Sequence, residues 1–234
     1  MLRWRQATVT QRIAETDSAT TLVLDVPGWT THRAGQHVDL RLTAPDGYQA
    51  TRSYSVASAP ARPLAITVQR VDDGEVSPFL ADVARPGTAV EVRGPVGGWF
   101  VWEPNTTDRV VLLAGGSGIV PLASMLRHRR RLGDPTPFHL VYSARTPDRI
   151  LYRDELAATT EGEHVVITLT GDDIPPDWDG ETGRVDAQTL RRHLPAPSGG
   201  LTYVCGPTAF VEAAAASLAV LGYGPTTIRT ERFG

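Results

Sequence analysis

The chain has 234 residues, a formal charge of -3 and 23 basic side chains, all of them arginine. Without lysine there is no Schiff-base chemistry, no P-loop lysine and no Ser-x-x-Lys nucleophile. The single cysteine, Cys205, leaves no internal disulfide and no protein-ligated iron–sulfur cluster, which takes about four thiolates.

The remaining averages, 41% hydrophobic and 21% charged, are those of a globular protein of one or two domains. A net negative charge gives no support to nucleic-acid binding. The first residues, MLRWRQATVT, contain no apolar core of signal type, so a cytoplasmic location is expected.

Residues 7–15, 20–26, 36–42, 51–58, 64–71 and 88–94 are short runs rich in Val, Ile, Leu and Thr. Turn signals such as Pro27-Gly28, Asp46-Gly47 and Pro86-Gly87 separate them. This spacing predicts a β-sandwich or barrel. A short helix is expected after Gly74, with Ser77 as its N-cap and Pro78 in its first turn.

The pattern changes near Glu103-Pro104-Asn105. Strands are expected at 109–114, 138–143, 165–170, 201–205 and 226–230. Helices are expected at 119–131, 152–159, 186–193 and 208–221. The alternation implies parallel strands joined by crossover helices. The division read from this is 1–103 and 104–234, with Ser198-Gly199-Gly200 a loop and not a linker. The apolar stretch 110–126 is broken by Gly115, Gly116, Gly118 and Pro121, so it reads as strand, turn and helix, not as a membrane span.

That stretch, VVLLAGGSGIVPLASML, carries the sharpest local signal. Glycines allow a tight turn and close approach of a ligand to the backbone. The following helix start offers N–H groups to a phosphate. Gly116-Ser117-Gly118 with Pro121 resembles the dinucleotide fingerprint, with proline where a third glycine usually stands. A serine-hydrolase elbow needs Gly-x-Ser-x-Gly and fails at Ile119. The next strand ends in Ser143-Ala144-Arg145, followed by Asp148, Arg149 and Tyr152. A serine and an arginine suit a 2′-phosphate better than a ribose diol, which favours NADPH and leaves NADH open.

His32 and His37 do not share a helical face, and no His-Glu-x-x-His occurs, so no metal site is expected. Arg127-His128-Arg129-Arg130-Arg131 could dock an acidic partner, but it falls in the last helical turn, where cations favour the helix dipole. The structural reading is preferred.

Several motifs, in order along nearly the whole chain, resemble the ferredoxin–NADP reductase superfamily. They are Arg52-Ser53-Tyr54-Ser55, Gly74-Glu75-Val76-Ser77, Gly94-Pro95-Val96-Gly97, the turn from Gly115 to Pro121, Cys205-Gly206-Pro207, and Glu231-Arg232-Phe233. The resemblance implies an N-terminal antiparallel Greek-key β-barrel that binds FAD, then a Rossmann-like parallel-sheet domain that binds NAD(P)H. It implies that Arg52 pairs with a flavin phosphate, that Tyr54 lies along the isoalloxazine, and that Ser55 stands near flavin N5. Ser53, with Gly74, Glu75, Val76 and Ser77, would complete the flavin site. Gly116, Ser117, Gly118, Pro121, Ser143, Arg145, Tyr152, Gly206 and Pro207 would hold the nucleotide. Cys205 would sit near nicotinamide C4 in a positioning role, Glu231 would relay a proton, and Phe233 would cover the flavin. Gly234 follows that aromatic, one residue beyond the end of plant-type members.

The implied activity is hydride transfer from NADPH or NADH to FAD. Electrons would then pass to a separate carrier such as a ferredoxin or an oxygenase component, because the cysteines for an internal cluster are missing. FMN in place of FAD, a reductase that uses free flavin as substrate, and a non-catalytic nucleotide-binding regulatory module remain as alternatives.

Overall fold

The computed structural model describes residues 3–197 and 199–233. Ser198 of the expected loop and Gly234 at the chain end lie outside the described residues. The chain falls into two compact units. One takes in the residues up to Trp102 and Ala123–His128; the other takes Glu103–Leu122 and the residues from Arg129 onward.

The first unit contains β1 (Arg5–Thr16), β2 (Ala19–Asp25), β3 (His37–Thr43), β4 (Gln49–Ser55), β5 (Leu64–Gln69) and β6 (Ala89–Val96). These form one antiparallel sheet in the order β4-β3-β6-β1-β2-β5. Its two edges meet just past β4, where Val56 bridges Ile66 and the Ala57 amide donates to the Ala65 carbonyl at 2.7 Å. Joining the edges closes the sheet into a barrel and removes exposed ladder groups. β1 pairs with β6 through Arg5–Thr8 and with β2 from Thr8 onward, and the bulges at Val9/Gln11 and Ala14/Thr16 bend it along the β2 side.

The interior is filled by alternate residues such as Leu22, Leu24, Val38, Leu40, Ile66, Val90 and Val92. Between β5 and β6 lies a five-residue π-helical segment, Phe79–Val83. It drives Leu80 into that core, and full burial of a leucine is worth about 1.5–3 kcal/mol. The expected cap is not made. The Ser77 hydroxyl accepts from the Val71 amide at 3.1 Å, because the turn ending at Gly74 folds Val71 back onto it.

The second unit is wholly parallel. Its strands are β7 (Val110–Gly115), β8 (Phe138–Ala144), β9 (Glu163–Leu169), β10 (Glu181–Thr182), β11 (Leu201–Pro207) and β12 (Ile228–Phe233), in the order β10-β9-β8-β7-β11-β12. The helices are α1 (Ile119–Leu132), α2 (Arg153–Ala157), α3 (Ala187–His193) and α4 (Thr208–Val220). All six residues of β7 are buried, as a central parallel strand requires. Chain order reverses direction between β7 and β11, which makes that pair the topological switch point. β10 carries no apolar run and was not expected. β12 extends to Phe233, past the expected end at 230, because it pairs with β11 along its length.

The arginine run at the end of α1 has a firmer purpose than its dipole. Arg129 is 4% exposed and donates to the carbonyls of Thr136 and Glu161. Arg129 and Arg130 both pair with the fully buried Glu163 carboxylate, at 3.1 and 2.7 Å. Burial raises the Glu163 pKa, but the bonds from Arg130 and Thr160 outweigh it and hold the carboxyl below its ordinary value. No described helix is long and apolar enough to cross a membrane.

Candidate cofactor and nucleotide sites

In the first unit the candidate residues lie on β4 and on the segment 74–77. β4 alternates sides, so Ala50, Arg52 and Tyr54 share one face while Thr51, Ser53 and Ser55 share the other. Tyr54 is half-buried against the barrel core. Burial pushes its phenol pKa up to about 12, and the nearby Arg52 charge opposes the rise. Arg52 stands in the same row but is half exposed. Its Nη1 donates to the Thr51 carbonyl at 2.8 Å and its Nη2 to Glu75 at 2.7 Å.

Gly74 closes a tight turn, and a Cβ there would stand 2.7 Å from Ser77 Oγ. Val76 is fully buried, which anchors the segment and leaves Glu75 outside. Arg52, Tyr54 and Glu75 are thus brought together. Ser53 is not: its hydroxyl donates to Asp39 at 2.7 Å on the opposite face, where Arg93 also pairs with Asp39. Ser55 lies on that second face too, across from His37. Tyr48, which sequence reasoning missed, joins the first group by donating from its hydroxyl to Glu75 at 2.7 Å. Its only sequence signal is an aromatic just after the Asp46-Gly47 turn.

In the second unit the strand ends at the switch point come together backbone to backbone. A 3-10 turn, Gly116–Gly118, joins β7 to α1. Gly116 has φ of +53°, and a Cβ there would meet nothing within 4 Å. Gly118 has the opposite constraint, since a Cβ would stand 2.1 Å from the Cys205 carbonyl oxygen. Pro121 is the third residue of α1, where its missing N–H breaks no helical bond. The Phe210 ring, in the first turn of α4, covers both Gly115 and Gly206, with a Cβ on either at 2.7 Å from it. Phe210 was not anticipated; only its place just after Cys205-Gly206-Pro207 could have marked it.

Ser143 is aligned with Gly115 across the β7–β8 ladder, and Arg145 stands exposed just past the end of β8. Tyr152 is 5% exposed, and its backbone adopts φ of +57° beside the buried Tyr142. Cys205 lies on β11 between Ala114 of β7 and Glu231 of β12. Burial, then the Glu231 charge, pushes its thiol well above the ordinary range, so it is a neutral thiol. Burial alone lifts Glu231 to about 7, so near neutral pH this carboxyl can hold or release a proton. Phe233 is aligned with Pro207 at the end of the same ladder.

Comparison with known proteins settles the family. Residues 6–101 match the oxidoreductase FAD-binding domain family, and residues 112–216 match the oxidoreductase NAD-binding domain family. A ferredoxin–NADP reductase B from Sorangium cellulosum is 35% identical over 181 residues, which is 74% of this chain and 73% of that protein. The chain belongs to the ferredoxin–NADP reductase-like family of oxidoreductases.

Other members are similar in other ways. The glycine betaine monooxygenase reductase subunit of Chromohalobacter salexigens is 32% identical over 86% of this chain. The chain spans only 56% of that protein's length. Among solved structures, the Amycolatopsis cytochrome P450 reductase GcoB superposes with a TM-score of 0.86 at 27% identity, over 99% of this chain and 70% of that one. The FAD/NAD-binding domain of the Vibrio cholerae nitric oxide dioxygenase superposes with a TM-score of 0.87 at 24% identity, over 98% of each chain, a likeness of fold.

The residues fit the two groups that the family domains bind. Arg52 already donates to a carboxylate, so its fork can donate to a phosphate. The open, positive-φ Gly116 lets a ligand approach the backbone closely.

Proposed function

We propose that this chain is an NAD(P)H-dependent flavoprotein reductase, with a flavin domain at 1–103 and a nucleotide domain at 104–234. Arg52, Tyr54, Ser55 and the backbone of the segment 74–77 hold FAD, with Ser53 contributing backbone and not its hydroxyl. Gly116, Ser117, Gly118 and Pro121, with Ser143, Arg145, Gly206 and Pro207, hold NADPH in preference to NADH. Bound flavin supplies the conversion of a two-electron donor into single electrons for an acceptor. Cys205 shapes the nicotinamide pocket as a neutral thiol, and Glu231 holds and returns a proton beside it. Tyr152, buried after the turn that follows β8, completes the nucleotide site. The acceptor is a separate carrier such as a ferredoxin or an oxygenase component, as the names of the relatives suggest, and the proposed setting is the cytoplasm.

The observation that supports this reading most is the pairing at the switch point. Two nucleotide-type strand ends, at Gly118 and Cys205, are packed backbone to backbone, in a chain whose barrel presents Arg52 and Tyr54 in one row. The test is anaerobic addition of NADPH, and separately NADH, to the flavin-loaded protein. Bleaching of the flavin band that is faster with NADPH is expected. Nucleotide binding without bleaching would sink the reading. Arg145→Ala should remove the NADPH preference by roughly tenfold or more, the worth of one charge-assisted bond.

A second reading, a reductase that takes free flavin as its substrate, is favoured by one feature: the Glu75 carboxylate sits on Arg52. Loss of yellow colour on dialysis would support it.

A further inference from the structure

The one arginine assigned to the flavin phosphate is already engaged by an acid of the same unit. Arg52 Nη2 and Glu75 Oε2 are 2.7 Å apart, with both side chains about half exposed. The other Glu75 oxygen is held by the Tyr48 hydroxyl at 2.7 Å. Tyr48 and Arg52 together hold the carboxyl below its ordinary value, so it is charged at neutral pH. Tyr48 and Glu75 also line a cavity of about 490 Å³, together with Arg41, Leu42, Phe79 and Glu91.

A guanidinium fork recognises carboxylate and phosphate through the same geometry. A carboxylate fixed on that fork is therefore a competitor for a phosphate, and one that adds its own negative charge to the site. We propose that Glu75, positioned by Tyr48, is a built-in competitor for Arg52 that selectively weakens the binding of flavins that carry a phosphate. This rests on the reading that Arg52 holds that phosphate. Exposure keeps the pair exchangeable, since half-exposed ion pairs are weak and screened. The flavin displaces Glu75 from Arg52, and Glu75 retains Tyr48 as its partner.

The test titrates FAD, FMN and riboflavin into the full-length chain, following quenching of flavin fluorescence, for the wild type, Glu75→Gln and Arg52→Gln. Glu75→Gln should tighten FAD and FMN roughly threefold to fivefold, a small factor in keeping with a surface pair. Riboflavin, which has no phosphate, should be unchanged, and the gain should shrink in high salt. Tyr48→Phe should give part of the gain in the wild type and none in Glu75→Gln. Unchanged or weaker FAD binding in Glu75→Gln, or an equal gain for riboflavin, overturns the proposal. Arg52→Gln keeps the two ideas apart. If it leaves FAD binding intact, the phosphate role of Arg52 is wrong; if it weakens FAD while Glu75→Gln does nothing, only the competitor role is wrong.

Discussion

Replacing Gly118 with alanine places a methyl carbon 2.1 Å from the Cys205 carbonyl oxygen and 2.7 Å from the Gly206 nitrogen. Ordinary contact begins near 3.4 Å, so the turn and the end of β11 must part by more than 1 Å. Both colliding groups are backbone of a central ladder, and no side-chain rotation relieves them. Overpacking of this kind costs about 1–3 kcal/mol, and a backbone clash belongs at the upper end. Gly116, two residues earlier, fails for another reason. Its surroundings are open, but φ of +53° sets a side chain against its own carbonyl, at roughly 1–2 kcal/mol.

Asparagine separates the two causes, because it tolerates the left-handed region yet is larger than alanine. At 116, Asn should be milder than Ala; at 118, Asn should be worse than Ala. Thermal unfolding of the four variants reads this directly. With about 2–4 °C per kcal/mol for a chain of this size, Gly118→Ala should lower the midpoint by roughly 6–12 °C. The added stability from saturating NADP+ should also fall in both variants at 118. If Asn and Ala rank in the same order at both positions, the assignment of one glycine to φ and the other to volume is wrong.

Glu163→Gln should cost about 3–5 kcal/mol in denaturant unfolding at pH 7, because it leaves the buried Arg129 and the largely buried Arg130 without their carboxylate. The folded pKa of Glu163 is depressed, so its contribution is complete above 4.5 and disappears as pH falls through the folded value. The gap between wild type and variant should therefore close on acidification; a gap constant down to pH 3 would exclude the ion pairs as its source. Glu231 has the opposite sign. Its pKa is raised from 4.5 to about 7, so the folded state holds a proton that the unfolded state has lost, and stability falls as pH rises across that window. Glu231→Gln should flatten this slope and remove any inflection near pH 7 from anaerobic flavin reduction; a profile identical to wild type would deny it the proton. Cys205, buried and neutral, should resist a thiol-specific disulfide reagent until the protein is unfolded. Rapid reaction of the native protein would show that the pocket opens.

Apart from the two-residue β10, the strands of both units were legible because their patterning is local. Runs such as 64–69 and 110–115 are rich in Leu, Ile, Val and Ala, with Pro63 before the first and Gly116 after the second. The turn from 115 to 118 was legible for the same reason, since φ and backbone approach select glycine residue by residue. The Ser77 cap failed because serine's hydroxyl can bond several nearby backbone groups, and a turn closing at Gly74 offered it Val71 first. The burial of Tyr152 was not legible, because an aromatic after a strand can face a ligand or the core, and its sequence neighbours do not decide which. Phe210 and Tyr48 were missed because their partners are brought close by the fold.

The arginines pose the general form of this problem. In a chain whose only strong cation is arginine, every fork suited to phosphate is also suited to carboxylate. Composition cannot say which forks are committed; burial of the pair can. Arg129 and Arg130 share a carboxylate that is fully excluded from solvent, so withdrawing it would strand charge in the interior, and no ligand can compete for them. Arg41 and Arg93 flank the Trp4 ring at 4.3 and 4.7 Å while pairing with Glu91 and Asp39, which ties them to the barrel wall. Arg52 has an acidic partner too, but at half exposure, where exchange for a phosphate leaves no charge stranded. Arg145 is exposed at the carboxyl end of β8. Arg52 and Arg145, one in each unit, can thus pass their charge to a ligand without stranding an acid in the interior, and both are residues that the sequence singles out.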